Sequence, residues 1–364
     1  MNLIVLLKLV GGFALLVAGG ELLVRSASRL ASSFGVSALV VGLTVVAMGT
    51  SAPELVVSVV SSWHGKADIA YGNVVGSNLC NILLILGLSA VIAPLAVDRK
   101  LVRVDTPFMI GAAALAYALS YDGRIGRLDG LALVGLLAGY TIWSVRSSLS
   151  ATPALEERME REYAPRELLT TYGRPALALL ILAALGVLVL GSDLFVDGAV
   201  AVARSMGVSE LVIGLTVVAV GTSMPELVTS IVAAMRGERD IAVGNIVGSN
   251  IFNVLGVLGG SGVVSPDGVA VSEAALAVDT PLMLIACAAC WPVFASRFSL
   301  SRLEGLMFLV YYALYVTYLI LDAQESALAP QLGHAVVWYA LPATVGLLAF
   351  SGWRSVRSAA PHQG

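Results

Sequence analysis

Hydrophobic residues in this chain come in long blocks rather than at the spacing of an amphipathic helix or a half-buried strand. A membrane span needs about 20 mostly apolar residues. On that criterion the pattern predicts eleven helices, near 3–24, 36–62, 69–94, 104–120, 128–147, 175–196, 208–235, 241–264, 277–295, 302–321 and 334–352. Four of the blocks are interrupted by polar residues. GTSAPEL stands at 49–55 and GTSMPEL at 221–227, while GNVVGSNLCN at 72–81 and GNIVGSNIFN at 244–253 place amides and hydroxyls inside otherwise greasy segments.

Composition agrees with the blocks. Hydrophobic residues make up 58% of the 364 and charged residues only 12%, whereas soluble domains carry about a quarter charged. The fold class expected is an all-α polytopic membrane protein. A net charge of −3, with no basic run, zinc pattern or phosphate loop, gives no reason to expect a nucleic-acid partner. GLTVVAMGTS has glycines but lacks the lysine of a phosphate loop. Cys80, Cys287 and Cys290 all lie in apolar blocks, so the Cys287–Cys290 pair is read as small packing residues rather than redox groups. The first block lacks the charged start of a signal peptide, and Lys8 falls inside its apolar run.

Lys and Arg are distributed unequally between alternate loops. Sixteen fall on one side, including Arg25, Arg29, Arg99, Lys100, Arg236 and Arg239. Four (Lys66, Arg124, Arg127 and Arg204) fall on the other. The positive-inside rule assigns the larger set to the cytoplasm. The N-terminus is then expected outside and the C-terminus inside, with 148–174 a charged cytoplasmic linker.

Residues 42–81 and 214–253 align without a gap at an offset of 172, with 26 of 40 positions identical. The likeness extends outward: Glu21 matches Asp193, Val104-Asp105-Thr106-Pro107 matches Val278-Asp279-Thr280-Pro281, and Arg127-Leu128-Asp129-Gly130 matches Arg302-Leu303-Glu304-Gly305. Each copy holds five spans, an odd number, so the second copy enters the membrane from the opposite side, as in many secondary transporters. The organisation expected is a first repeat at 1–147, a linker at 148–174, a second repeat at 175–322, and an additional C-terminal helix with a short cytoplasmic tail at 323–364.

The best-preserved positions between the copies are polar. An intramembrane carboxylate costs at least ~2.5–3.5 kcal/mol to insert, so Glu54 and Glu226 need a compensating cation or proton. Thr50 stands four residues before Glu54, on the same helix face. Pro53 has no N–H and clashes with the carbonyl of residue 49, which releases the Gly49 carbonyl, and on this reading that of Ala47, toward an ion. Ser77 and Asn81 share a face of the next helix. The second half repeats the set with Ala219, Gly221, Thr222, Ser223, Glu226, Ser249 and Asn253. Such an all-oxygen group suits hard cations, calcium or sodium, rather than zinc or copper. Two carboxylates balance one Ca²⁺ or two Na⁺. Asn73, Asn78, Asn245 and Asn250 remain open between helix packing and function. Asp105 and Asp279 precede Thr-Pro and are read as helix caps, Glu21 and Asp193 as water-facing, and His64 receives no role.

The motif G-T-S-x-P-E followed by G-N-x-V-G-S-N-x-x-N, present twice in inverted halves, resembles the α-repeats of sodium/calcium exchangers, prokaryotic type, in the calcium/cation antiporter superfamily. The resemblance covers about residues 1–322 and implies a ten-helix core in which the first and sixth helices slide to expose the site alternately. It implies that Glu54 and Glu226 are shared carboxylates of the calcium site, that Thr50, Ser51, Ser77, Asn81, Thr222, Ser223, Ser249 and Asn253 are side-chain ligands, and that the carbonyls of Ala47 and Ala219 join them. Potassium-dependent members carry Asp where this chain has Asn253, so potassium co-transport is not expected. Proton-coupled members place a glutamate in the stretch matching Gly72–Ser77, which here reads GNVVGS.

The function expected is therefore sodium/calcium antiport, the alternative being proton/calcium antiport on the same scaffold. An intramembrane hydrolase using two carboxylates as acid and base fits less well, because the glutamates sit among ligand-type hydroxyls and amides. No enzyme activity, cofactor or protein partner is expected beyond calcium, sodium and the bilayer, and the compact loops suggest a prokaryotic inner membrane.

Overall fold

The computed structural model describes residues 3–65, 67–149, 173–208, 210–213, 216–217, 219–336, 338 and 342. Helix α1 runs Leu3–Phe34, followed by α2 (Ala38–Thr50), α3 (Ala52–Trp63), α4 (Ile69–Ile92), α5 (Leu101–Asp122) and α6 (Arg127–Leu149). The second half contains α7 (Arg174–Ser205), α8 (Glu210–Ile213), α9 (Ala219–Thr222), α10 (Met224–Arg236), α11 (Arg239–Val264), α12 (Ala275–Arg297) and α13 (Arg302–Ala323). A short α14 (Leu328–Ala335) follows. Among the described residues eight helices are long and apolar enough to cross a membrane, nine if the bent pair α2–α3 counts as one span. Most of the linker expected at 148–174, and most of the helix expected at 334–352, lie outside the described residues.

The sequence reading ended the first and sixth helices too early. Both are 32 residues long, because the polar residues beyond each apolar block are still acceptable helix formers. Each helix then stops just before a glycine in the left-handed region, Gly35 at φ 66° and Gly207 at φ 78°. Helices α1 and α7 cross closely along much of their length. A Cβ on Gly12 would lie 2.6 Å from the Phe195 backbone nitrogen, and one on Gly191 2.9 Å from that of Leu16. Only glycine lets the two backbones approach so far, as at other close helix crossings in membranes.

Among the described residues four two-residue strands, which the apolar blocks did not signal, tie the halves together. β1 (Leu95–Ala96) pairs antiparallel with β4 (Ser299–Leu300), and β2 (Arg124–Ile125) with β3 (Val269–Ala270). Each strand of one half thus pairs with the other half, and the two pairings are equivalent under the repeat. Helix α11 occupies the centre: its most apolar window is entirely buried within the protein, against 72% for its counterpart α4. Cys80, Cys287 and Cys290 are free thiols in this core.

Two sequence expectations are corrected by side-chain geometry. Asp105 and Asp279 precede α-helical turns but make no capping hydrogen bond. The preceding turns are wide, π-helical ones, so the backbone is already helical and each carboxylate points sideways instead. Asp105 accepts a 2.9 Å hydrogen bond from the Tyr140 hydroxyl, and Asp279 one of 3.2 Å from Tyr315. Glu21 does not simply face water. It pairs with Arg25 one turn on and with Arg236 at the end of α10.

Candidate ion-binding site

The broken helices place the two glutamates. Helix α2 ends at Thr50, Ser51 leaves helical geometry (φ −82°, ψ 11°), and α3 restarts with Pro53 in its first turn, at a bend of 48°. The second half repeats the break at Ser223, with Pro225 in the first turn of α10. Pro is tolerated at a helix start because its missing N–H falls among the unpaired donors there. Each glutamate therefore projects from the first turn of a helix, where the dipole favours negative charge. The interruptions expected from Pro53 and Pro225 within the spans 36–62 and 208–235 fall at this point.

The halves then exchange hydrogen bonds. Ser51 Oγ donates to Glu226 Oε1 at 2.7 Å, and Ser223 Oγ donates to Glu54 Oε1 at 3.0 Å. Thr222 lies beside the Glu54 carboxylate, and Thr50 and Ser249 beside that of Glu226. Both glutamates are fully buried, as are Ser51, Ser223, Ser249 and Asn253, while Thr50, Ser77 and Asn81 are almost so. Thr222 is half-buried.

Helices α4 and α11 supply the amides. Both widen into π-helical turns, Cys80–Leu86 and Asn253–Leu258, where Asn81 and Asn253 sit. Wide turns of this kind recur at functional sites. The two amides reach across the repeat boundary: Asn253 Nδ2 donates to Asn78 Oδ1 at 3.2 Å, and Asn81 Nδ2 to Asn250 Oδ1 at 3.5 Å.

Two of the carbonyls expected to be freed already accept a hydrogen bond. Ala47 O accepts the Ser51 N–H at 3.0 Å and lies 3.4 Å from Thr50 Oγ1. Gly221 O, released by Pro225, is taken up by the Ser192 hydroxyl at 2.7 Å. Ala219 stands at the start of α9.

Residues left open by the sequence now have places. Asn73 Nδ2 donates to Ser58 Oγ at 2.9 Å and to the Glu54 carbonyl at 3.3 Å. Asn245 Nδ2 does the same with Ser230 (3.0 Å) and the Glu226 carbonyl (3.5 Å), and its Oδ1 accepts from Thr50 Oγ1 at 3.1 Å. These asparagines hold the helix turns that carry the carboxylates. The signal in sequence was the shared spacing of 19 residues from Glu54 to Asn73 and from Glu226 to Asn245.

Among the side chains expected as ligands, five buried oxygens have no hydrogen-bond partner: Glu54 Oε2, Glu226 Oε2, Asn81 Oδ1, Asn253 Oδ1 and Ser249 Oγ. Asn250 Nδ2, in the same amide network, is a buried donor without one. Buried carbonyl and carboxylate oxygens left unpaired are costly, and a hard cation satisfies such a set directly. Among the described residues no cluster of three or more His, Cys, Asp or Glu side chains occurs, so the charge at the centre comes from two glutamates.

Known proteins resemble this chain in sequence and in fold. The sequence model described as sodium/calcium exchanger protein matches twice, over residues 4–146 and 176–321. The inner membrane protein YrbG of Escherichia coli is 40% identical over 258 residues, 71% of this chain and 79% of YrbG. The sodium/calcium exchanger MaX1 of Methanosarcina acetivorans is 30% identical over 360 residues, 88% of this chain and 98% of MaX1. A solved structure of the sodium-calcium exchanger NCX_Mj superposes with a TM-score of 0.73 at 30% identity, covering 87% of this chain and 99% of that one. With the family model matched in both halves and relatives covering most of the chain, the protein belongs to the sodium/calcium exchanger family of integral-membrane cation/calcium antiporters.

Proposed function

We propose that the protein exchanges sodium for calcium by alternating access, with both ions competing for the centre shared by Glu54 and Glu226. The observation that carries this reading is the reciprocal pair of bonds from Ser51 to Glu226 and from Ser223 to Glu54, each leaving the second carboxylate oxygen buried and unpartnered. A charge of −2 balances one Ca²⁺ or two Na⁺, and because the carboxylates are shared, each ion weakens binding of the other. That competition is the coupling. Asn253 keeps a third charge out of the centre and argues against potassium co-transport. Around the glutamates, Thr50, Ser51, Ser77, Asn81, Thr222, Ser223, Ser249 and Asn253 complete the ligand set.

The repeat supports 1–147 and 175–322 as inverted halves. The Lys and Arg distribution supports an outside N-terminus and a cytoplasmic C-terminus, and the likeness to YrbG supports an inner-membrane location.

Calcium uptake into proteoliposomes loaded with sodium and diluted into potassium buffer tests the reading. Uptake is expected only with the outward sodium gradient, and it is abolished in Glu54→Gln and Glu226→Gln. Uptake driven instead by a pH gradient in sodium-free buffer would move the assignment to proton coupling. Near-normal flux in both glutamine variants would remove the carboxylates from the site.

A further inference from the structure

The amide at 253 is oriented by a chain of hydrogen bonds that starts at a backbone carbonyl. The Asn250 carbonyl oxygen accepts from Asn78 Nδ2 at 3.4 Å, and the Met283 sulfur lies 3.5 Å from the same nitrogen. A carbonyl accepts and never donates, so the nitrogen side of the Asn78 amide faces it and the oxygen side faces away. That oxygen accepts from Asn253 Nδ2 at 3.2 Å. The Asn253 amide is thereby turned with its nitrogen toward Asn78, and its Oδ1 is left buried and unpartnered. A flipped Asn253 would set oxygen against oxygen at Asn78 and present N–H groups to a cation.

We propose that Asn78, outside the ligand set, is a positioning residue that fixes Asn253 as an oxygen ligand for the transported cation. The inference rests on the exchanger reading above. It also distinguishes the two halves. Asn250, the repeat counterpart of Asn78, accepts from Asn81 Nδ2 at 3.5 Å, but its own Nδ2 is buried without a hydrogen-bond partner. No backbone carbonyl sets its orientation, so Asn81 is held less firmly than Asn253. The centre thus combines one amide whose orientation is set through a backbone carbonyl with one whose orientation is not.

Equilibrium binding of ⁴⁵Ca²⁺ to the detergent-solubilised full chain in sodium-free buffer tests this. Groups that orient a ligand are worth roughly 10–100-fold in metal affinity, so Asn78→Leu is expected to weaken calcium binding by about that factor. Asn250→Leu is expected to have a smaller effect. The decisive arm is a double-mutant cycle. In an Asn253→Ala background, Asn78→Leu is expected to change affinity less than about 2-fold, because the group it positions is gone. A general packing defect would persist in that background, and a full loss there overturns the proposal. So does unchanged affinity in Asn78→Leu when Asn253→Ala and Glu54→Gln both bind weakly. Asn78→Ser, which removes the amide with little added volume, replaces the leucine variant if that chain does not fold. Absence of calcium binding in the unmodified protein would instead overturn the exchanger reading on which this one stands.

Discussion

Ser51 and Glu226 belong to opposite halves of the repeat, yet they share a 2.7 Å hydrogen bond, and Ser223 and Glu54 share its counterpart at 3.0 Å. Each hydroxyl fixes one carboxylate oxygen and aims the other at the centre. A hydrogen bond to a charged acceptor is worth about 1.5–3 kcal/mol. Ser51→Ala is therefore expected to raise the calcium KM of exchange about 10-fold or more, with Ser51→Thr restoring most of it because the hydroxyl returns. Initial rates of ⁴⁵Ca²⁺ uptake across a calcium series measure both. A wild-type KM in Ser51→Ala would exclude the hydroxyl from setting the carboxylate.

Outside the centre, the same logic applies to Asp105. Its side chain is fully buried, Oδ1 accepts from Tyr140, and Oδ2 has no hydrogen-bond partner. Tyr140 is itself held by stacking on Phe108, with ring centroids 4.2 Å apart. Tyr140→Phe keeps the stacking and deletes the donor. Leaving a buried acceptor unpaired costs about 1–3 kcal/mol, so the variant is expected to unfold several degrees earlier in detergent with its calcium KM unchanged. An altered KM at normal thermal stability would show that Asp105 communicates with the ion centre.

A surface ion pair has a different consequence. Arg236, at the end of the glutamate-bearing helix α10, holds Glu21 of α1 through two hydrogen bonds, and Arg25 joins from the next turn of α1. Arg236 is 42% exposed and Glu21 25%, so the pair contributes about 1 kcal/mol at most. That is little for stability but enough to bias two conformations of similar energy. Arg236→Gln is expected to leave the melting temperature nearly unchanged and to alter maximal exchange rate up to about 5-fold. The wild-type rate should approach that of the variant as salt screens the pair. Identical salt dependence in the two proteins would remove the pair from the transport cycle.

Much of this was legible in the sequence because the membrane makes polarity conspicuous. Glu54 and Glu226, with prolines beside them and the same hydroxyls around them, stand out against apolar blocks, and the structure buries both at one centre. The extent of α1 and α7 was not legible, since hydropathy registers where lipid ends and not where a helix stops. Asp105 was misread because Asp-Thr-Pro is a capping pattern only if the chain is not already helical before it. Asn78 and Asn250 were undecidable because their partners lie on the other half, 175 residues from Asn78 to Asn253 and 169 from Asn81 to Asn250. The carbonyls of Ala47 and Gly221 were read as freed by the proline, but the donors that occupy them, Ser51 N–H and Ser192 Oγ, follow from local turn geometry and from a distant helix.

The two halves are not packed alike, and glycine exposes the difference. Gly248 of α11 lies against α2: a Cβ there would stand 2.6 Å from the Leu43 carbonyl and 2.8 Å from the Ala47 methyl. Its repeat counterpart Gly76 is only partly buried where Gly248 is buried, and the neighbouring Gly72 is exposed where Gly244 is buried. If exchange alternates the packing of the halves, Gly76 must take up the crowded role in the opposite conformation. Gly248→Ala is then expected to destabilise the conformation described here, by the roughly 1–3 kcal/mol that overpacking costs. Gly76→Ala should leave thermal stability intact and slow exchange about 10-fold, since ~1.4 kcal/mol on a state that must be visited lowers the rate by that factor. Melting curves and uptake rates of the two variants separate these effects. Wild-type exchange in Gly76→Ala would mean that its helix face stays uncovered throughout the cycle, and that the halves do not trade places.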